Sequence, residues 1–109
     1  MNINRLLERE DLIKSLAPNM GFCIVSCKIT EDGELIGFMY REKPAEDEDS
    51  GWRFLSGNET DEYLDNEDNS KVYDVNLIAN LDPAIVRYLK SPFNTELERV
   101  GGEFLSLLA

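Results

Sequence analysis

The spacing of apolar residues divides the chain into an N-terminal helical segment, residues 1–20, and a following region of short strands and helices, residues 21–109. In the first segment the apolar side chains fall at helical spacing, at Ile3, Leu6, Leu7, Ile13 and Leu16. Asp11 could instead cap a second, separate helix that begins at Leu12. Pro18 ends the helical region in either case.

Two β-rich runs follow, and the residues between them predict an antiparallel hairpin. The first run covers residues 22–29 and the second covers residues 35–40, and both are rich in β-branched, aromatic and other apolar side chains. Between them, Asp32 and Gly33 form the Asp-Gly pair that supplies the positive φ angles of a tight hairpin turn. We therefore expect these two strands to be neighbours in the sheet.

The remainder of the chain predicts three more strands, over residues 52–55, 72–78 and 95–100. Residues 41–50 are charged and lack apolar periodicity, which indicates a loop. Strands mixed irregularly with helices predict the α+β class, as a single domain with a mainly antiparallel sheet and a few packed helices.

Two helices are predicted among these strands from their capping residues. Asn58 or Thr60 can cap a short helix that extends to Leu64. Asp82 followed by Pro83 is typical of an N-cap with proline in the first helical position.

The two cysteines predict free thiols. Cys23 and Cys27 lie on one predicted strand, about 13 Å apart, whereas a disulfide requires Cα atoms within about 7 Å. Residues 1–20 do not have the pattern of a secretory signal peptide. We therefore expect reduced thiols and a cytoplasmic protein.

Composition argues against several classes of function. The chain has 11 Lys and Arg against 22 Asp and Glu, a net charge of −11. Nucleic acids and anionic membranes attract clustered cations, so we expect neither as a partner. The absence of histidine excludes Ser-His-Asp and Cys-His catalysis and disfavours zinc.

The acidic residues have neither the spacing of a calcium loop nor that of a convergent catalytic set. The run at residues 47–51 lacks the alternating carboxylates and the distal Glu of such a loop, and no glycine-rich phosphate loop occurs. We therefore expect no enzyme activity, no cofactor and no metal. An enzyme that uses paired carboxylates remains an alternative, because Asp and Glu are abundant.

Negative charge is concentrated in the middle of the chain. Residues 42–68 hold 11 of the 22 acids and two bases, Lys43 and Arg53, a local net charge of −9. One interpretation is a solvated face that aids solubility. The other is a surface complementary to a basic protein, with long-range attraction that raises the association rate.

One block of sequence, Asp-Ser-Gly-Trp-Arg-Phe-Leu-Ser-Gly-Asn-Glu-Thr at residues 49–60, resembles the immunity protein 33 domain family. The resemblance continues through residues 62–64 and 72–76 and covers about residues 22–100. It implies a small intracellular bacterial protein that neutralises a cognate toxin by occluding a site, without cofactor or catalysis. A small cytosolic binding or regulatory module with no toxin is the alternative.

The residues expected to contact the partner belong to the acidic segment or to the block that carries the resemblance. They are Glu46, Asp47, Glu48, Asp49, Ser50, Trp52, Arg53, Glu59, Thr60, Asp61, Glu62 and Tyr63. Several of them also have a structural interpretation. Trp52 alternates with Phe54 and so should face the core, while Asp49 and Ser50 suit a turn. Glu59 and Thr60 suit the start of a helix.

Overall fold

A six-stranded sheet forms the centre of the fold. The computed structural model describes residues 2–107. Its strands are β1 (Phe22–Ser26), β2 (Phe38–Arg41), β3 (Asp49–Leu55), β4 (Ser70–Asp74), β5 (Glu96–Val100) and β6 (Glu103–Ser106). They lie in the order β4-β1-β3-β2-β5-β6, with β1 and β3 parallel and the other neighbours antiparallel. The predicted α+β fold is confirmed, and the sheet is mixed, with four of its five strand pairings antiparallel.

Short helices connect the strands. The α-helices are α1 (Ile3–Glu8), α2 (Cys27–Thr30), α3 (Asp61–Asp65) and α4 (Val75–Leu81), and 3₁₀ turns occur at Glu10–Leu12, Glu67–Asn69 and Pro83–Tyr88. The predicted N-terminal helix is confirmed for α1, where the Asn2 side chain accepts a hydrogen bond from the N–H of Arg5. Asp11 lies inside a 3₁₀ turn, and it does not cap a helix beginning at Leu12.

The predicted hairpin is wrong, because β3 lies between β1 and β2. The first β-rich run leaves the sheet at Ser26, whose hydroxyl accepts the N–H of Lys28 at 3.2 Å and caps α2. Cys27 is therefore the first residue of a helix and does not share a strand with Cys23, although both cysteines are free, as predicted. The turn at Gly33 links α2 to a loop instead of joining two paired strands.

The predicted strand over residues 72–78 is only half right. β4 ends at Asp74, whose carboxylate accepts the N–H of Asn76 at 2.8 Å and caps α4. From there Val75, Ile78 and Ala79 are buried at helical spacing. A local cap therefore changes the period of the apolar pattern from two to about 3.6 within one run.

Asp82 occupies the predicted N-cap position and Pro83 begins a 3₁₀ helix there, but the Asp82 side chain makes no capping hydrogen bond. The Asp82 carboxylate accepts the N–H of Ile36 at 3.0 Å and pairs with the guanidinium of Arg99 at 2.6 Å. Asp82 thus ties the loop before β2 to β5 instead of capping its own helix.

Other predicted elements are confirmed. Residues 52–55 lie in β3, the strand near residues 95–100 is β5, and Thr60, not Asn58, caps α3. Residues 42–48 form the expected loop, although Arg41 at one end of the predicted segment and Asp49 and Ser50 at the other belong to strands.

The core lies on one face of the sheet, here called the inner face. The strand side chains buried on this face include Cys23, Val25, Met39, Trp52, Phe54 and Leu97. Helices α1 and α4 and the Pro83–Tyr88 turn pack against them with residues such as Leu6, Ile78 and Ile85. The opposite, outer face carries the alternate side chains of each strand. Among residues 2–107, no helix is long and apolar enough to cross a membrane.

Candidate partner-binding surface

A buried ion pair holds together the first part of β3. The Arg53 guanidinium donates two hydrogen bonds to the Asp49 carboxylate, at 2.8 and 2.9 Å, and a third to Glu42 at 2.8 Å. The side chains of Asp49 and Arg53 are 3% and 8% exposed, whereas that of Glu42 is 52% exposed. The hydrogen bonds from Arg53 hold the pKa of Asp49 well below its usual range, against the opposing effect of burial.

The same ion pair fixes the backbone of the acidic loop, defined here as residues 42–48. The Asp49 carboxylate also accepts the N–H groups of Ala45 at 3.1 Å and Gly51 at 2.9 Å. At the end of the loop the Glu48 carbonyl accepts the N–H of Phe22 at 2.9 Å. The side chains of Glu46, Asp47 and Glu48 are exposed on this anchored backbone, so a partner would meet negative charges in a fixed arrangement.

A groove of about 610 Å³ connects the acidic loop to the edge of the sheet. Its lining includes Asp47 and Glu48 of the loop, Phe22 of β1, and Val72 and Asp74 of β4. The groove combines carboxylates with apolar and aromatic surface, which suits a basic side chain with an aliphatic stem.

The other predicted contact residues lie around the N-terminus of α3. The Thr60 hydroxyl accepts the N–H of Tyr63 at 3.1 Å, and the Glu59 carboxylate accepts the N–H groups of Ser56 and Gly57 at 2.9 and 3.0 Å. Burial would raise the pKa of Glu59, but hydrogen bonds from Ser26 and Ser56 lower it below its usual value. Thr60, Asp61 and Glu62 are exposed, while Glu59 and Tyr63 are half-buried.

The structure does not bring all of the predicted contact residues together. The acidic loop precedes β3 and α3 follows it, so the two acidic groups lie at opposite ends of a strand about 20 Å long. Asp49, Ser50, Trp52 and Arg53 lie between them and are buried, at 0–6% exposure. Trp52 faces the core, as its alternation with Phe54 predicts.

The aromatic and acidic side chains of the outer face, on β2 and β5, are not among the contact residues predicted from the sequence. Phe38 and Tyr40 alternate with the buried Met39, and Glu96 and Glu98 alternate with the buried Leu97. That alternation was a usable signal for one solvated sheet face. Using that signal required knowing that β2 and β5 are neighbours. The wrong hairpin prediction paired the β2 segment with the β1 segment instead.

Gly51 should not tolerate a side chain. Its φ is +87°, and a Cβ there would lie 2.2 Å from the carbonyl oxygen of Glu42. Gly33→Ala is a matched control, because φ is +78° there and nothing lies within 4 Å of the added atom. We expect the control to cost about 1–2 kcal/mol from the left-handed backbone alone and Gly51→Ala to cost a further 1–3 kcal/mol, roughly, from the clash.

Urea denaturation of both glycine variants measures this difference directly. Equal losses would mean that the Glu42 carbonyl moves aside without cost, and that the acidic loop is not fixed by its packing on β3.

The fold and this surface define a small mixed α+β domain with acidic groups at both ends of a central strand. Residues 23–106 match the family model described as Immunity protein Imm33 domain. The chain therefore belongs to the Imm33 immunity protein family. Comparisons with curated proteins and with solved structures gave no match.

Within residues 2–107, no group of three or more Cys, Asp or Glu side chains is arranged to hold a metal ion.

Proposed function

We propose that this chain is an immunity protein that binds a basic toxin domain and neutralises it by covering a functional site, without catalysis. Membership of the Imm33 family is the observation that carries the proposal. The net charge of −11 and the three exposed carboxylates of the acidic loop support a partner of opposite charge. We propose a cytoplasmic location, where such a protein would meet a toxin that acts inside the cell.

Among the predicted contact residues, the proposal assigns direct contact to the exposed residues of the acidic loop. Glu46, Asp47 and Glu48 present charge on an anchored loop, and Asp47 and Glu48 also line the groove. For Asp49, Ser50, Trp52 and Arg53 we propose a supporting role, because a buried side chain cannot reach a partner unless the domain opens. Arg53 in particular is already bonded to two carboxylates.

Co-expression tests the proposed function. A toxin domain encoded beside this chain in the genome should arrest growth when expressed alone, and the chain should restore growth when expressed with it. A purified chain that forms no complex with that domain and gives no protection would overturn the proposal. The domain in an inactivated form serves for the binding measurements below.

Charge reversal of the acidic loop should slow association with the toxin domain. The triple variant Glu46→Lys, Asp47→Lys and Glu48→Lys removes long-range attraction, so we expect an association rate about tenfold lower at low salt. The difference should shrink as salt rises, because the Debye length falls to about 8 Å at physiological ionic strength. Stopped-flow or surface-based kinetics across a salt series measures both effects.

The matched control reverses the same number of charges elsewhere. Glu8, Glu10 and Asp11 are exposed and lie outside the family match, so Glu8→Lys, Glu10→Lys and Asp11→Lys change the net charge by the same amount. Identical rates for the two triple variants would show that the acidic loop acts only through overall charge.

A further inference from the structure

The outer face of the sheet forms a continuous surface that the core does not use. Strand register places one row of side chains across it: Val72, Ile24, Arg53, Tyr40 and Glu96. A second row contains Leu55, Phe38, Glu98 and Leu105. Val72 is 57% exposed and Leu105 is 51% exposed. None of these residues belongs to the core cluster, whose members lie on the inner face.

Negative charge predominates on this face. Among its strand residues, Glu96, Glu98, Glu103 and Asp74 are acidic, and Arg53 is the single base that the described residues place on this face. Arg53 offers little positive charge to a partner, because it is 8% exposed and bonded to two carboxylates. A cation that approaches this face therefore meets uncompensated carboxylates.

Two aromatic rings lie beside two of those carboxylates, Glu96 and Glu98. Phe38 and Tyr40 are half-buried, with ring centroids 5.8 Å apart. By register, Glu98 lies beside Phe38 and Glu96 lies beside Tyr40 on the neighbouring strand. Rings and carboxylates side by side can hold Lys or Arg side chains by cation–π contact and charge-assisted hydrogen bonds.

The groove beside the acidic loop continues this surface at the other edge of the sheet. Phe22, Val72 and Asp74 belong to the outer-face sides of β1 and β4, and they also line the groove with Asp47 and Glu48. The acidic loop, the groove and the outer face thus form one acidic and aromatic surface. The acidic residues of α3 lie beyond the opposite end of β3.

We propose that the outer face of the sheet, from the groove across β1, β3 and β2 to β5, is the surface that receives the basic toxin domain. The inference rests on the proposed function and adds where the partner sits and what chemistry it presents, namely Lys and Arg side chains set among apolar residues. A second copy of this chain is a poor occupant, because a twofold contact would place this acidic face against itself. The acidic end of α3 is outside the interface.

Binding of the inactivated toxin domain to two matched double variants tests the proposal. Glu96→Lys with Glu98→Lys reverses two charges on the outer face, and Asp61→Lys with Glu62→Lys reverses two on α3. Isothermal titration calorimetry should show an affinity weaker by about tenfold or more for the outer-face variant. The affinity of the α3 variant should change by less than about threefold, because its charges lie outside the contact and are screened by salt. Circular dichroism checks that each variant is folded.

The possible results separate this inference from the proposed function. If the parent chain does not bind the toxin domain, the proposed function fails. If the parent binds and the outer-face variant binds equally well, the surface assignment is overturned and the function stands. If the Lys variant does not fold, Glu96→Gln with Glu98→Gln removes the charge at nearly constant size and should still weaken binding. A parent that sediments as a dimer, and becomes monomeric with Glu96→Lys and Glu98→Lys, would assign this face to a second copy and overturn the proposal.

Discussion

Replacing Arg53 with methionine is expected to destabilise the domain by about 3–5 kcal/mol, the usual cost of removing one partner from a buried ion pair. Asp49 would keep its charge, 3% exposed, with the backbone N–H groups of Ala45 and Gly51 as its remaining donors. Urea denaturation at neutral pH measures the loss. Arg9→Met is the matched control, because the Arg9–Asp11 pair is 58% and 67% exposed and should contribute less than about 1 kcal/mol.

Acid titration of stability gives an independent check on the same pair. The folded-state pKa of Asp49 is depressed, so its contribution is fully present above the unfolded pKa of about 3.9 and is lost as pH falls below it. In Arg53→Met the depression is smaller, so the variant should lose less stability than the parent between pH 5 and pH 3. Parallel pH curves for the two proteins would mean that Arg53 does not set the charge state of Asp49.

Trp52→Ala should cost about 3–5 kcal/mol, a large share of the stability of a domain of this size. Trp52 has no exposed surface, stacks on Phe54 with ring centroids 6.0 Å apart, and donates its indole N–H to the Leu89 carbonyl at 2.9 Å. The smaller change Trp52→Phe keeps a ring but leaves the Leu89 carbonyl without that donor, so we expect a loss of about 1–3 kcal/mol. Denaturation midpoints in urea rank the three proteins.

The alternative role for Trp52 is contact with the partner, and it predicts a different pattern. A Trp52→Ala chain that is as stable as the parent but no longer binds the toxin domain would place Trp52 in the interface. Under the packing interpretation, toxin binding by the folded fraction of Trp52→Phe should match that of the parent.

Elements with a strong local signal could be predicted from the sequence. The aromatic alternation of Trp52 and Phe54, and the hydroxyl of Thr60 followed by two acids, each specify structure through their nearest neighbours. The hairpin prediction failed because several local signals compete in that part of the chain. Its Asp-Gly turn is a valid local signal, but Ser26 and Asp74 also cap helices directly after strands. Which signal dominates depends on packing that only the whole fold provides.

The same distinction between local and long-range information applies to the candidate surface. The charge of the acidic loop is a property of composition, so it was visible in the sequence. The burial of Asp49 and Arg53 depends on the positive φ of Gly51 within β3 and on the pairing of Arg53 with Glu42, and both are features of the three-dimensional fold. The outer face depends on β5 lying beside β2, a pairing across more than 50 residues of chain. Periodicity shows that a strand has two faces, but not which strand lies next to it.

The parallel pairing of β1 with β3 has a consequence for synthesis of the protein. β1 is made first, yet both of its neighbours, β3 and β4, come later, and β4 ends at Asp74. A chain emerging from the ribosome cannot close this centre by a local hairpin, and non-local pairing of this kind folds slowly. The surface proposed for the toxin spans strands on both sides of that centre, and β5 follows β4 in the chain. Under the proposed function, the binding surface would therefore form only after β5 has been synthesised, so protection would depend on copies of this protein made before the toxin arrives.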